Sequence, residues 1–192
     1  MSSPARALAT YRDLLALADD VRAEILGGRI VTAPAPLPKH SKVQRALGSF
    51  VGRPFDDDDG YGGPGGWWIF VEVDVELGPH DVVRPDLAGW RRERLPEPGD
   101  RRPIDVAPNW VCEILSTNRR NDLVRKKRVY HRHEVAHYWI LDPHEETLSV
   151  LRWHPDGYTE VLVADRHERV RAEPFADVEL TLAVLFGDDA EE

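Results

Sequence analysis

The run NWVCEILS (109–116) constrains this chain more than any other segment, because an acid sits at the centre of an otherwise apolar strand. A strand of that composition is buried on both faces. An ionised carboxylate in such a place is costly unless it is paired or metal-bound. Alternation along the strand puts Val111, Glu113 and Leu115 on one face and Trp110, Cys112 and Ile114 on the other. A second acid, Asp86, lies in the apolar run VVRPDLAGW (82–90), which reads as a strand. Two acids on neighbouring strands would make an oxygen-ligand site suited to Mg²⁺ or Mn²⁺. Acids facing water at strand ends would make none.

The other segments follow from periodicity and turn chemistry. Leu8, Tyr11, Leu14, Leu15 and Ala18 have helical spacing over 7–18. Two short apolar stretches around Gly27-Gly28 predict a β-hairpin with a turn at positive φ. A stiff APAPLP connector leads into a helix, with Pro38 in its first turn and Val43, Leu47, Phe50 and Val51 on one side. Residues 52–66 are acidic and turn-rich. WWIFVEVDVEL (67–77) alternates in its second half and predicts one strand with a wet face, paired in a hairpin with VVRPDLAGW. Residues 119–134 read as a helix, and HYWILD, TLSVLRW and YTEVLVA as successive strands. The expected class is α/β or α+β, a mixed central sheet flanked by helices. One domain over 11–186 is expected, with a short extension before it (1–10) and an acidic tail after it (187–192).

With 192 residues, one cysteine and no apolar run long enough to span a bilayer, the chain reads as a cytoplasmic protein without disulfides or membrane contact. The net charge of −9 argues against non-specific coating of DNA by the whole surface, but leaves room for a local basic face. Such a face is offered by 119–137, where seven lysines and arginines against Asp122 and Glu134 give +5. Asp122, Lys126 and Tyr130, spaced four apart, share a stripe. The bland reading is a solvated helix with an Asp–Lys pair. The sharper one turns this helix towards phosphates, with one lysine reaching the two acids.

Other chemistries find less support. His131, His133 and His137 lack a placeable third zinc ligand. Ser116 and Thr117 have no nucleophile elbow around them. No phosphate-binding glycine motif is present. Cys112 reads as core.

The ordered set PDL (85–87), WVCEILS (110–116), DLVRKKRVY (122–130) and VAHYWILDP (135–143) resembles the Uma-type restriction endonucleases, a branch of the PD-(D/E)XK nuclease superfamily. RAEILGGRIV and His40 match that family's N-terminal hairpin and the histidine near its first long helix, so the resemblance spans roughly 11–186. It implies a restriction-endonuclease-like fold and metal-dependent hydrolysis of duplex DNA. Asp86 and Glu113 would be catalytic and hold Mg²⁺ or Mn²⁺, with the Ile114 carbonyl as a further donor. Position 115 is Leu where the superfamily has Lys, and Lys126 matches the lysine moved to the following helix. Lys127 is its neighbouring substitute, Glu24 a further acid, and Asp122 and Tyr130 match supporting positions. The sequence departs from the family after Ser116, where a Pro is missing and the segment is one residue short, and at Glu134, where the family has Gly. A homodimer would suit double-strand cutting by a one-site chain. Two other readings stand beside this one: an inactive nuclease-like domain that binds nucleic acid or a protein partner, and a zinc hydrolase built on the histidines.

Overall fold

The computed structural model describes residues 7–18, 20–56, 63–116 and 119–188. Thr117, the acidic run 57–60, and the ends of the expected extension and tail (1–6 and 189–192) lie outside the described residues.

The centre is a six-stranded mixed sheet. From edge to edge it runs β10 (Thr159–Asp165), β9 (Thr147–Arg152), β8 (His137–Asp142), β7 (Trp110–Ile114), β6 (Leu87–Arg91) and β3 (Trp67–Val71). β7 and β8 are parallel, and the other neighbours antiparallel. A parallel pair needs a crossover. It is supplied by a π-helical segment, Asn121–Lys126, that continues into α3 (Lys127–Arg132). Glu134, at φ 55, makes the left-handed turn into β8. A four-stranded sheet holds β2 (Arg29–Thr32), β1 (Ala23–Leu26), β5 (Asp81–Val83) and β4 (Val75–Gly78) in that order. The β1–β2 hairpin turns through Gly27 and Gly28 at φ 60 and 72, as expected.

The alternation in β7 separates two cores. Trp110, Cys112 and Ile114 pack with α2 (Pro38–Phe55) and α4 (Leu182–Phe186) through Val43, Leu47, Phe55 and Leu185. Val111 and Leu115 join Val129, Tyr130, Tyr138, Val75 and Val83 on the opposite face. At the first core's centre Phe175 meets Phe55, Trp67, Trp110 and Trp139 at centroid distances of 4.7–5.7 Å.

Four expectations are corrected. The 67–77 strand is two strands in different sheets, with the chain turning at Glu72, which stands at φ 51. VVRPDLAGW likewise splits into β5 and β6 around Arg84-Pro85-Asp86, because Pro85 has no N–H for a ladder. Asp86 therefore lies at a break between two sheets and not within a strand. The first helix is only α1 (Tyr11–Leu15), since Ala9 is drawn away to bond the Gly28 carbonyl (3.0 Å). α2 runs further than expected, to Phe55, with Pro54 in its last turn.

Phe175→Ala opens a void among four aromatic rings that cannot all close on it. It is expected to lower unfolding free energy by about 3–5 kcal/mol, read as a shift of the urea midpoint with unchanged slope.

Candidate active site

The two chain breaks are tied to each other. The Glu72 N–H donates to the Asp86 carbonyl (3.3 Å), and Gln44 Nε2 on α2 donates to the same oxygen (3.1 Å) and to Glu72 Oε1 (3.3 Å). Arg22 holds the Glu72 carboxylate at 2.9 Å. Arg84 binds Asp74 at 2.6 Å, while its backbone N–H donates to Glu24 Oε1 (2.6 Å). These contacts fix where the Asp86 side chain points. Its Oδ2 accepts the Ile114 N–H (2.7 Å), and its Oδ1 lies 3.2 Å from His40 Nε2.

Glu113 precedes Ile114 in β7 and is 2% exposed. Its Oε2 accepts from Lys126 Nζ (2.9 Å), and its Oε1 accepts a short hydrogen bond from the Tyr130 hydroxyl. Lys126, itself buried, also reaches Glu24 Oε1 (2.9 Å) and lies 3.9 Å from Asp122 Oδ1. The expected stripe of Asp122, Lys126 and Tyr130 thus converges on Glu113 from the crossover helix. The wide π turn buries Asn121, Asp122 and Lys126 together. Tyr138 holds that turn by donating to the Asp122 carbonyl (2.9 Å).

Three carboxylates, those of Glu24, Glu113 and Asp122, therefore share one buried ammonium, and Asp86 acts on it electrostatically from beside Ile114. Burial holds the Glu113 carboxyl well above the usual carboxylate range; Lys126 opposes this, and Asp86, Asp122 and Glu24 add to it. Burial also pushes Asp122 up, to about 6, against the pull of Lys126. For Lys126 burial alone would favour the neutral amine. The carboxylates of Glu113, Glu24, Asp122 and Asp86 outweigh it, and its pKa lies well above the ordinary value. His40 follows the same pattern: burial lowers it, but the bond to Asp86 carries it above its ordinary value.

The cluster lines a cleft of about 600 Å³ together with the Ala33–Leu37 strap and Ser116, Pro143 and His144. Arg22, Lys39, Arg84 and Arg119 are among the lining residues. Of the seven cations counted in 119–137, only Arg119 and Lys126 line the cleft, and Arg119 is paired with Asp142 at 2.6 Å. Lys127 does not line it.

The zinc reading is overturned. His131 bonds the His154 carbonyl (2.8 Å), His133 bonds Asp81 (3.1 Å) and His137 faces Glu173 (3.6 Å), so the three point to different partners. Among the described residues, no three His, Cys, Asp or Glu side chains form a ready-made metal cage. Cys112 is core. Gln44, Glu72 and Arg22 were not singled out from sequence. Gln44 alone carried a usable signal, one helical turn after His40.

A mixed sheet with an acid on its central parallel strand, a second acid at a neighbouring chain break and a lysine from the crossover helix define an α+β protein of nuclease-like fold. The chain belongs to the Uma2 family, described as "Putative restriction endonuclease", whose model matches residues 8–184. It is similar in fold to a crystal structure described as "a putative nuclease belonging to DUF820" from Anabaena variabilis ATCC 29413. The two are 24% identical, with a TM-score of 0.74 over 93% of this chain and 97% of that one. No curated protein matches the sequence closely enough to count as a relative. Among the described residues no helix is long and apolar enough to cross a membrane.

The raised Asp122 carboxyl has a consequence for folding. The native state binds its proton more tightly than the unfolded chain, whose value is near the ordinary 3.8. Stability should therefore fall as pH rises from about 4 to 6 and carry a constant penalty above. Asp122→Asn is expected to stabilise the chelator-treated protein by on the order of 2 kcal/mol at neutral pH, and much less at pH 4. Urea unfolding at both pH values checks this.

Proposed function

We propose that the protein is a metal-dependent endonuclease that hydrolyses DNA phosphodiester bonds at the Asp86–Glu113–Lys126 cluster. The reading rests on one observation: Asp86 is hydrogen-bonded to the backbone beside Glu113, whose carboxylate in turn holds Lys126 (2.7 and 2.9 Å).

The residues fit a hard divalent cation. They offer the carboxylate oxygens of Glu24, Asp86, Glu113 and Asp122, which line one cleft beside a single buried ammonium. Mg²⁺ is commonly held by one or two carboxylates together with waters and substrate phosphates, a part that Asp86 and Glu113 can fill. Asp86 and Glu113 would hold it, with the Ile114 carbonyl at hand. When bound, such an ion polarises a phosphate and lowers the pKa of a coordinated water.

The chain's own residues do the rest. Lys126, kept charged by its carboxylate neighbours, stabilises negative charge developing on the phosphate. Tyr130 and Glu24 hold Glu113 and Lys126 in place. His40 and the Ile114 N–H orient Asp86.

Incubation of DNA with the purified protein and Mg²⁺ or Mn²⁺ should give cleavage that chelator abolishes. Asp86→Asn keeps an oxygen for the Ile114 N–H and should retain the melting temperature while losing about 100-fold or more in rate. Equal cleavage by both proteins refutes the assignment.

One observation favours a second reading, a non-cutting domain that binds nucleic acid or a protein. Both Glu113 oxygens already have protein partners, Lys126 and Tyr130. Calorimetry separates the two: Mn²⁺ binding that Asp86→Asn removes supports the nuclease, and no binding supports the second reading.

A further inference from the structure

Resting on the nuclease reading for what enters the cleft, we propose that Arg84 grips a backbone phosphate of the DNA there, through the edge of its guanidinium that Asp74 leaves free. Asp74 and Arg102 are its positioning residues.

A phosphate entering this cleft meets the carboxylates of Glu24, Asp86, Glu113 and Asp122 with one buried ammonium beside them. Lys126 is shared among three of these acids, so drawing an anion in falls to a cation elsewhere in the lining. Four other lysines and arginines line the cleft, and each is paired. Arg22 is held by Glu72 at 2.9 Å and Arg119 by Asp142 at 2.6 Å, one charge against one. Lys39 lies 3.4 Å from Glu146, which Arg166 also holds, and Arg166 in turn holds Asp188, so two cations meet two acids. Arg84 differs. Its partner Asp74 also takes Arg102, so two cations meet one acid. Of these four ion-pair groups, as formed among the described residues, this one alone keeps a net positive charge.

The geometry of the guanidinium points the same way. Nε and Nη2 of Arg84 both meet Asp74 Oδ1, at 2.8 and 2.6 Å. Nη1 has no partner among the described residues. With the second hydrogen of Nη2 it makes a two-pronged donor of the kind that phosphate oxygens accept. The side chain is 26% exposed and lines the cleft. Asp74 is buried and fixed from its other oxygen, where Arg102 Nε and the Tyr11 hydroxyl both donate to Oδ2 at 3.2 Å. The aim of Arg84 is therefore set before a ligand arrives, which lowers the cost of binding. Its main chain is fixed as well. The Arg84 N–H donates to Glu24 Oε1 (2.6 Å), the oxygen that Lys126 reaches at 2.9 Å, and only Pro85 separates Arg84 from Asp86. Arg84 is thus anchored to the acid cluster by its own backbone.

The test is fluorescence anisotropy of a short labelled DNA duplex on the full chain, with Ca²⁺ in place of Mg²⁺. Arg84→Gln should weaken binding at least about tenfold and lower the slope of log K against log salt by about 0.9. Arg84→Lys keeps the charge but not the fork, and should keep the slope while still losing affinity. Arg102→Gln, outside the cleft lining, leaves Asp74 and Arg84 at one charge against one and should weaken binding less than Arg84→Gln does. A series of duplexes carrying one neutral methylphosphonate at a time locates the contact. The wild type should lose affinity at a position where Arg84→Gln and Arg84→Lys lose little more. Arg128→Gln, an exposed cation outside the lining, should keep the wild-type pattern across the series.

Absence of duplex binding by the wild type overturns the proposal. So does a methylphosphonate pattern that both Arg84 variants leave intact; should Arg84→Gln not fold, Arg84→Lys alone decides. The two readings fail separately. Cleavage that needs Asp86 with a KM indifferent to Arg84 removes this inference alone. Arg84-dependent binding without cleavage removes the nuclease alone.

Discussion

The contact of Lys126 with Glu113 and Glu24 is what lets this interior exist. It joins β7, β1 and the crossover helix, three segments far apart in the chain, at two distances of 2.9 Å. Without the ammonium, Glu113 would be a charge inside a hydrophobic face with only Tyr130 to serve it. A buried ion pair is nevertheless a poor way to stabilise a fold, because desolvation offsets most of the attraction. Apolar residues of similar volume would pack between β1, β7 and the π turn at less cost. The surplus of carboxylates over cations at this point is harder still to explain by folding. Its energetic sense is a site that gains when positive charge arrives.

The sheet switches make that site reachable. Had the hairpin from Trp67 to Trp90 stayed in one sheet, Asp86 would have been one more ladder residue, its backbone satisfied by neighbours and its side chain fixed to one face. The break at Pro85 frees Asp86 to bond the backbone of β7 from beyond the strand end, next to Glu113. His40 approaches it from the α2 side, while Lys126 approaches Glu113 from the other. The site thus sits at the end of the sheet, where both cores stop and solvent enters.

Much of this was legible in the sequence, and the rest was hidden for identifiable reasons. The alternation in NWVCEILS correctly sorted Trp110, Cys112 and Ile114 from Val111 and Leu115, because burial on both faces leaves no other arrangement. The four-residue spacing of Asp122, Lys126 and Tyr130 placed them on one stripe. The sheet switch at Glu72 was invisible, since apolar and acidic residues go on alternating through it. Its cause is tertiary, in the pull of Arg22 and Gln44 on Glu72. Charge counting overestimated the basic helix, because composition gives no direction. The cleft's other lining cations come from the residue before β1, from α2 and from the β5–β6 break, as Arg22, Lys39 and Arg84.

The lysine's position follows from what replaced it. Residue 115, where the superfamily pattern carries Lys, is a Leu that packs with the second core. It shares a face with Glu113, so a lysine there would have to leave the core to reach the acid two residues before it. Lys126 comes instead from above the same face, carried by a helix whose first turn is widened. In a regular helix, Asp122 and Lys126 would be ordinary surface neighbours, and with this charge density they would prefer water. The π turn draws both inward, and Tyr138 fixes it by taking the Asp122 carbonyl that the helix would otherwise use. The π turn thus sets beside Glu113 a charge that position 115, given over to the core, does not supply.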